Sequence, residues 1–447
     1  MTGMERQLPT ANCQPQTLPE WLDYIERQHP QTIALGLDRV EKVRQALGLK
    51  LAYPVITVGG TNGKGSVCAM LEAILHQAGY RVGCYTSPHL LRYNERVRIA
   101  RSEARDGELA RAFAVVERAR GDVPLTYFEY GTLASVWLFN EGLVEVAVLE
   151  VGLGGRLDAV NAFDADCAVV TTVDIDHVDF LGADRESIGR EKAGIFRAGR
   201  PAVCADARPP ASLTQHAAES GVSLLLIGRD FGATPKAGQW QYWGPAGRRN
   251  ALPHPALRGP CQLANAAAAI TALECMRERL PVAVNDIRVG LLQVENPGRF
   301  QVLPGLPTVI LDVAHNPQAA RALAAGLVAM GNKGRTLAVF AMLKDKDIAG
   351  VVAAVKDQVT HWLIASLCGP RGASVTDLGP VFAAATIDGV TRCSDVAAAY
   401  AQACDIATEN DRIVVFGSFY TVAAVMQVRE RQRTSPARGG VQGNRGP

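Results

Sequence analysis

Val55-Ile56-Thr57-Val58-Gly59-Gly60-Thr61-Asn62-Gly63-Lys64-Gly65-Ser66 is the stretch that decides the fold. Val55 to Val58 read as a short buried strand, and the glycine-rich run after them opens a helix that reaches about Ala78 and stops at Gly79. A strand, a glycine turn and a helix in that order form a cradle for phosphate. The glycines let backbone N–H groups converge on phosphate oxygens, and the helix N-terminus adds a favourable dipole. Lys64 offers a point charge to the β and γ phosphates, and Ser66 a hydroxyl near a metal or a phosphate. Gly60, Thr61, Asn62, Gly63, Lys64, Gly65 and Ser66 are therefore the candidate ATP-binding residues. The plainer alternative is a glycine-rich strand-to-helix turn with no ligand. The spacing is shorter than the common phosphate loop, which places a glycine where Val58 stands.

Working outward, the periodicity predicts helices within 18–48, with a loop at 32–37 between them. A strand follows at 82–85, a long helix around 129–141, and strands at 146–151 and 168–173. Strands alternating with helices imply a largely parallel sheet covered on both faces. Glu295-Asn296-Pro297-Gly298-Arg299-Phe300 then reads as a linker. A second alternation starts beyond it, with strands at 308–313, 335–341, 361–366 and 412–417. The expected fold class is α/β, with a larger P-loop NTPase-like domain (1–294), a linker (295–300) and a smaller doubly wound, Rossmann-like domain (301–432). Residues 433–447, rich in Arg and Gly, are expected to be a disordered tail.

A chain of 447 residues exceeds what one core usually serves, in keeping with two domains. Lys plus Arg number 46 against 44 Asp plus Glu, a balance that argues against nucleic-acid binding. None of the 10 cysteines falls in a CxxC pair, and several sit in apolar runs, so free thiols in a reducing compartment are expected. Met1 to Pro15 carries no apolar leader segment, and no apolar run reaches the roughly 18 residues of a membrane span. A cytoplasmic protein without a membrane partner is the expectation.

ATP chemistry calls for Mg²⁺, which takes a few oxygen ligands and keeps waters. Ser87, Glu150 and His177 lie at the ends of predicted strands, and in a parallel sheet ligands gather at those ends. A carboxylate closing an apolar strand, as Glu150 does, is costly unless it is paired or bound to a metal. Ser87 has an alternative as a turn cap before Pro88, and His177 as a surface loop residue. Asp158, Asp174, Asp176 and Asp179 are rival carboxylates that sequence does not rank.

GTNGKGS at 60–66, SPHL at 87–90, LEVGLGGRLDAVN at 149–161, DHVDFLG at 176–182, RESIGREKAGIFR at 185–197, NPGRFQ at 296–301 and LDVAHNP at 311–317 follow one another in this chain. Together they resemble the bifunctional dihydrofolate synthase/folylpolyglutamate synthase family, and the short GxxGKGS loop is similar to that of the Mur-type amide ligases to which that family belongs. The resemblance runs from Leu35 to Val422. It implies that Ser87 and Glu150 hold one Mg²⁺, that His177 helps hold a second, and that Lys192 is carbamylated. A carbamate would make Lys192 an anionic oxygen ligand, which an ammonium cannot be. Potassium is a further candidate cation.

By the same resemblance, Asn265, Arg299 and Asp312 would contact ATP, and His315 and Ser418 the incoming glutamate. Thr32, Ile33, Ser87, Pro88, His89, Thr126, Tyr127, Phe128, Glu129, Leu157, Asp158 and Ala159 would line the pterin pocket. For Tyr127 and Phe128, core packing is the alternative. One departure is Ala34, where the family often carries Asp. Lys64, Lys192 and His177 are the implied catalytic residues. The implied reaction is ATP-dependent ligation of L-glutamate to 7,8-dihydropteroate and to the γ-carboxylate of folates through an acyl phosphate. Rivals are a folylpolyglutamate synthase alone, another Mur-type ligase, or a nucleotide-binding module without chemistry. The partners implied are small molecules, and the resemblance favours a monomer.

Overall fold

In the computed structural model, which describes residues 15–31, 33–331 and 334–434, Val55–Gly59 forms strand β1 and is buried at every position. It lies inside an eight-stranded sheet with β2 (Val82–Tyr85), β3 (Val97–Ile99), β4 (Ser102–Glu103), β5 (Val146–Glu150), β6 (Cys167–Val170), β7 (Pro201–Cys204) and β8 (Ser223–Leu226). The order is β4-β3-β2-β5-β1-β6-β7-β8. The six strands from β2 to β8 in that order run parallel, while β3 and β4 are antiparallel additions at one edge. Strands covered on both faces need apolar residues on both, which is why β1, β5 and β6 read as unbroken apolar runs. Val55 faces one core, and Ile56 and Val58 face the other.

The helix Lys64–Gln77 leaves the carboxyl end of β1 with Ser66 through Leu75 all buried. It packs against the helices Gln262–Cys275 and Val284–Leu292. A three-stranded antiparallel sheet, β9 (Gly232–Lys236), β10 (Gln239–Gly244) and β11 (Gly247–Pro253), backs the helix Gln262–Cys275. Tyr242 ties the two together by donating to Glu274 Oε2 at 2.8 Å.

The second domain is a six-stranded sheet of β12 (Gln301–Leu303), β13 (Thr308–Leu311), β14 (Thr336–Phe340), β15 (His361–Ala365), β16 (Val390–Cys393) and β17 (Arg412–Phe416). Its order is β12-β13-β17-β14-β15-β16, parallel except for β12. Phe340, Trp362 and Phe416 fill one face, and Leu337, Val339, Ile413 and Val415 the other.

Several expectations need correction. The strands expected at 146–151, 168–173, 308–313, 335–341, 361–366 and 412–417 each end one to three residues earlier. Their last residues instead turn into loops at the carboxyl edges of the sheets, and Val151, Asp312, Val313 and Gly417 line the cleft there. The β3–β4 hairpin, β7, β8, the β9–β11 sheet, β12 and β16 were not anticipated, being short or carrying exposed polar positions. The last helix, Phe419–Thr434, runs into the stretch expected as a tail, whose residues 435–447 lie outside those described. Thr32 also lies outside them. Nine cysteines are free thiols, but Cys261, Cys368 and Cys404 are exposed rather than buried, and Cys13 is not among the described residues. Among the described residues no helix is long and apolar enough to cross a membrane.

Candidate active site

The carboxyl edges of the two parallel sheets face each other across a cavity of about 870 Å³. The phosphate-loop residues 60–66 form part of its wall. Gly60 and Gly63 adopt φ of 138° and 94°, conformations that other residues resist. A Cβ on Gly60 would stand 1.9 Å from Thr171 Oγ1, so the close approach of β6 also demands glycine there. Thr61 N–H donates to Thr172 O at 2.7 Å, and Asn62 N–H to Thr172 Oγ1 at 3.2 Å, which pins the loop to the residues following β6. Lys64 Nζ folds back to donate to the carbonyls of Gly60 and Thr61 at 3.1 and 3.3 Å. Ser66 is buried and accepts from Gln262, whose amide also accepts from Asn265 at 3.0 Å.

Glu150 closes β5 with only 3% of its surface exposed. It forms no ion pair among the described residues, and its Oε2 accepts from the Ser87 backbone N–H at 3.0 Å. Burial pushes its carboxyl up, against the nearby charges of Lys64 and Arg299. The structure thus brings Ser87 and Glu150 together. His177 stands apart from them in its contacts, in a left-handed conformation at φ 52°, with Nε2 3.4 Å from Lys346 Nζ. Burial, more than the charge of Lys346, pulls its imidazole down to about 4. No group of three or more His, Cys, Asp or Glu side chains that could hold a metal occurs among the described residues. The donor set still suits Mg²⁺, which uses one or two carboxylates and completes its shell with phosphate oxygens and water.

Lys192, on the helix Arg185–Ala193, is buried rather than a surface residue. Burial, with Lys64 close by, pulls its ammonium down to about 7. Asp158 accepts from Leu153 N at 2.8 Å and Val160 N at 3.1 Å, yet burial still raises its carboxyl to about 7. Ile33, Ala34, Pro88, His89, Thr126, Tyr127, Phe128, Leu157 and Ala159 line the same cavity. Glu129 lines it too, but its carboxylate is engaged by Arg39 at 2.8 Å and by Thr126 N at 2.7 Å, so it braces the helix Tyr127–Glu141. Thr126 caps that helix through its hydroxyl.

From the second domain come Asp312, His315 and Ser418. Asp312 accepts from Phe300 N and Ala314 N at 2.8 and 2.7 Å. Arg299, between the domains, stacks 4.8 Å from the Phe419 ring centroid. His315 Nδ1 lies 2.8 Å from Val313 O. Ser418 lies in the cavity wall, but its hydroxyl bonds Thr421 at 2.7 Å, caps the last helix, and is not free.

Lys346, which sequence reading passed over, and Asp176, one of the rival carboxylates, complete the cleft. Lys346 Nζ reaches across to Asp176 Oδ1 at 2.6 Å. Burial opposes ionisation of Asp176, but His177, Lys346 and His315 outweigh it and hold the carboxyl below the usual carboxylate range. The Lys344-Asp345-Lys346-Asp347 run after β14 was the available signal, at the carboxyl end of a parallel strand.

Residues 58–273 match the Mur ligase middle domain, and residues 298–419 the Mur ligase glutamate ligase domain. The chain is 47% identical over 419 residues to the dihydrofolate synthase/folylpolyglutamate synthase of Escherichia coli, covering 93% of this chain and 96% of that protein. Its counterpart in Haemophilus influenzae is 40% identical over 436 residues, covering 92% and 98%. The solved structure of Escherichia coli FolC in complex with DHPP and ADP superposes with a TM-score of 0.90 at 46% identity, covering 95% of this chain and 100% of that one. A bifunctional folylpolyglutamate synthase/dihydrofolate synthase with Mn, AMPPNP and L-glutamate bound gives a TM-score of 0.87 at 45% identity, over 94% of this chain and 100% of that one.

Proposed function

The chain belongs to the dihydrofolate synthase/folylpolyglutamate synthase family of Mur ligases, and on that premise we propose that it uses ATP to join L-glutamate to 7,8-dihydropteroate and to the γ-carboxylate of folates. The observation that carries this reading is the single cleft in which the phosphate loop, Glu150 and Lys192 of one domain face Asp312 and His315 of the other. The acceptor carboxylate attacks the γ-phosphorus of ATP, the bond to the β-γ bridging oxygen breaks, and ADP leaves. The glutamate amine then attacks the acyl phosphate, releasing phosphate and a proton. Lys64 turns from the Gly60 and Thr61 carbonyls towards the transferring phosphoryl group and stabilises its charge.

Ser87 and Glu150 would hold one Mg²⁺ and His177 would help hold a second; bound there, the ions neutralise phosphate charge. A carbamate on Lys192 is supported by its burial and lowered basicity, since only the neutral amine adds to CO₂. Asn265, Arg299 and Asp312 hold the nucleotide at the junction of the domains, which meet at 295–300, and His315 faces the incoming glutamate. Ile33, Pro88, His89, Phe128, Leu157, Asp158 and Ala159 line the pterin side. Potassium is a further candidate cation, and no residue here singles out its place.

Ala34 brings no carboxylate to the pterin side, and its carbonyl accepts from Arg39 at 2.7 Å. That favours dihydropteroate as the weaker of the two acceptors. Incubating the protein with dihydropteroate, ATP and L-glutamate, and following dihydrofolate by mass spectrometry, tests the first activity. Tetrahydrofolate in its place tests the second. Lys64→Ala is expected to lower glutamate-dependent ADP release more than a hundredfold while the protein stays folded. Near-normal turnover in a folded Lys64→Ala protein would sink the mechanism.

A further inference from the structure

Arg96 stands in the cleft with a charge that no carboxylate neutralises. It ends the short 3₁₀ turn Tyr93–Arg96, just after the Ser87–Leu90 segment, and lines the same cavity as Ser87, His89 and Tyr127. Its guanidinium lies over two tyrosine rings, 5.2 Å from the centroid of Tyr93 and 5.4 Å from that of Tyr127. Its Nε donates to His89 Nδ1 at 2.8 Å. Among the described residues, no acidic side chain pairs with it and neither terminal nitrogen donates to a protein group. Of the other arginines of the cavity wall, Arg371 is committed to Asp345 at 2.7 Å, Arg299 lies over the Phe419 ring at the nucleotide end, and Arg258 is exposed.

The position is built. Two aromatic faces and one imidazole hold the guanidinium without any acidic partner. The terminal N–H groups then present a fork suited to a carboxylate. The two acceptors of this enzyme differ in just such a group. Dihydropteroate ends in a benzoate, with one carboxylate. A folate ends in a glutamyl residue, whose α-carboxylate lies three carbons from the γ-carboxylate that is activated. A second carboxylate entering a half-desolvated cleft needs a cationic partner. The guanidinium lies beside the segment that starts at Ser87, which lines the same cavity as Glu150 and the phosphate loop.

We propose that Arg96 is a specificity-determining residue that receives the α-carboxylate of the acceptor's terminal glutamyl residue, so that it serves polyglutamylation and is idle when dihydropteroate is the acceptor. The inference rests on the two-acceptor function stated above.

Steady-state kinetics on the full chain, with ATP, Mg²⁺ and L-glutamate, test it with three acceptors. These are dihydropteroate, tetrahydrofolate, and a tetrahydropteroyl-4-aminobutyrate that keeps the distal carboxylate and lacks the α-carboxylate. Arg96→Ala is expected to lower kcat/KM for tetrahydrofolate by roughly tenfold to a hundredfold, chiefly through KM, as loss of a charged hydrogen bond does. The other two acceptors should change by a much smaller factor. The variant would then treat tetrahydrofolate and the aminobutyrate analogue alike. Arg96→Lys, which keeps the charge, should restore part of the preference, and it carries the comparison if Arg96→Ala does not fold. Equal losses with all three acceptors would overturn the proposal. So would a KM for L-glutamate that rises alike with every acceptor, which would place Arg96 on the incoming amino acid. No wild-type turnover with either natural acceptor would instead remove the function itself.

Discussion

Lys192 illustrates how burial changes what a side chain is. An exposed lysine stays protonated near neutrality and is a poor nucleophile, whereas this one is 3% exposed and pulled down to about 7. The sign of the consequence is definite. Below about pH 7 the ammonium dominates and cannot add CO₂; above it the free amine dominates and can. With ¹³C-bicarbonate, a carbamate resonance should therefore grow as pH rises through about 7, and it should vanish in Lys192→Ala. A signal that falls over that range, or survives the substitution, would refute the assignment. Nothing in the local sequence Arg190-Glu191-Lys192-Ala193-Gly194 separates Lys192 from an ordinary surface lysine, because burial is set by elements packed from elsewhere in the chain. Glu150 was different. Its place at the end of an apolar strand, Val146 to Leu149, already implied a buried carboxylate in need of a cation. Arg96 drew no notice in the sequence, because its lack of an acidic partner shows only in the fold.

At the scale of elements, the phosphate loop is the part most legible in sequence, since strand, glycines and lysine are contiguous. Its rigidity comes from contacts that are not contiguous. Thr171 and Thr172, just past β6, receive and donate the bonds that hold Thr61 and Asn62. Gly60→Ala would drive a Cβ into Thr171 at an unfavourable φ, at a cost of about 2 kcal/mol or more. ADP affinity by titration calorimetry should fall at least tenfold, with a lower Tm. An unchanged ADP affinity would mean that the loop does not need this geometry. The β9–β11 sheet shows the opposite case. Its strands mix exposed polar residues with Pro235 and do not alternate cleanly, yet Trp240, Tyr242 and Leu252 find a core on the helix that carries Asn265. Long-range packing, rather than local pattern, makes these residues strands.

At the scale of the whole molecule, a set of polar contacts joins the two domains across the cleft. Asn62 donates to Asn316 and Gln318, Asn316 donates to Asp176, and Lys346 pairs with Asp176. Such an interface can open without exposing a large apolar face. Lys346→Ala removes the nearest cation from a mostly buried carboxylate. Leaving that charge unpaired inside would cost about 3–5 kcal/mol, so the cleft should open and hydrate it instead. The radius of gyration by small-angle scattering should rise while circular dichroism stays unchanged. An unaltered scattering curve would show that this pair does not hold the domains together. The two strand-helix alternations were readable from the apolar pattern; which side chains bridge the gap was not, because Asn62 and Gln318 are ordinary polar residues until the fold brings them within reach.

The far margin of the large sheet has a consequence for how such molecules behave in a crowd. At this margin the sheet ends at β4, only Ser102 and Glu103, both exposed and paired antiparallel to β3. Glu103 is further occupied by Arg92 at 2.7 Å. A fully exposed parallel strand would offer neighbouring molecules a row of free N–H and C=O groups on which to add a strand of their own. This margin offers two residues and a charge. This margin is thereby a poor template for edge-to-edge stacking, the route by which concentrated or newly made β-rich chains turn into fibrous aggregates.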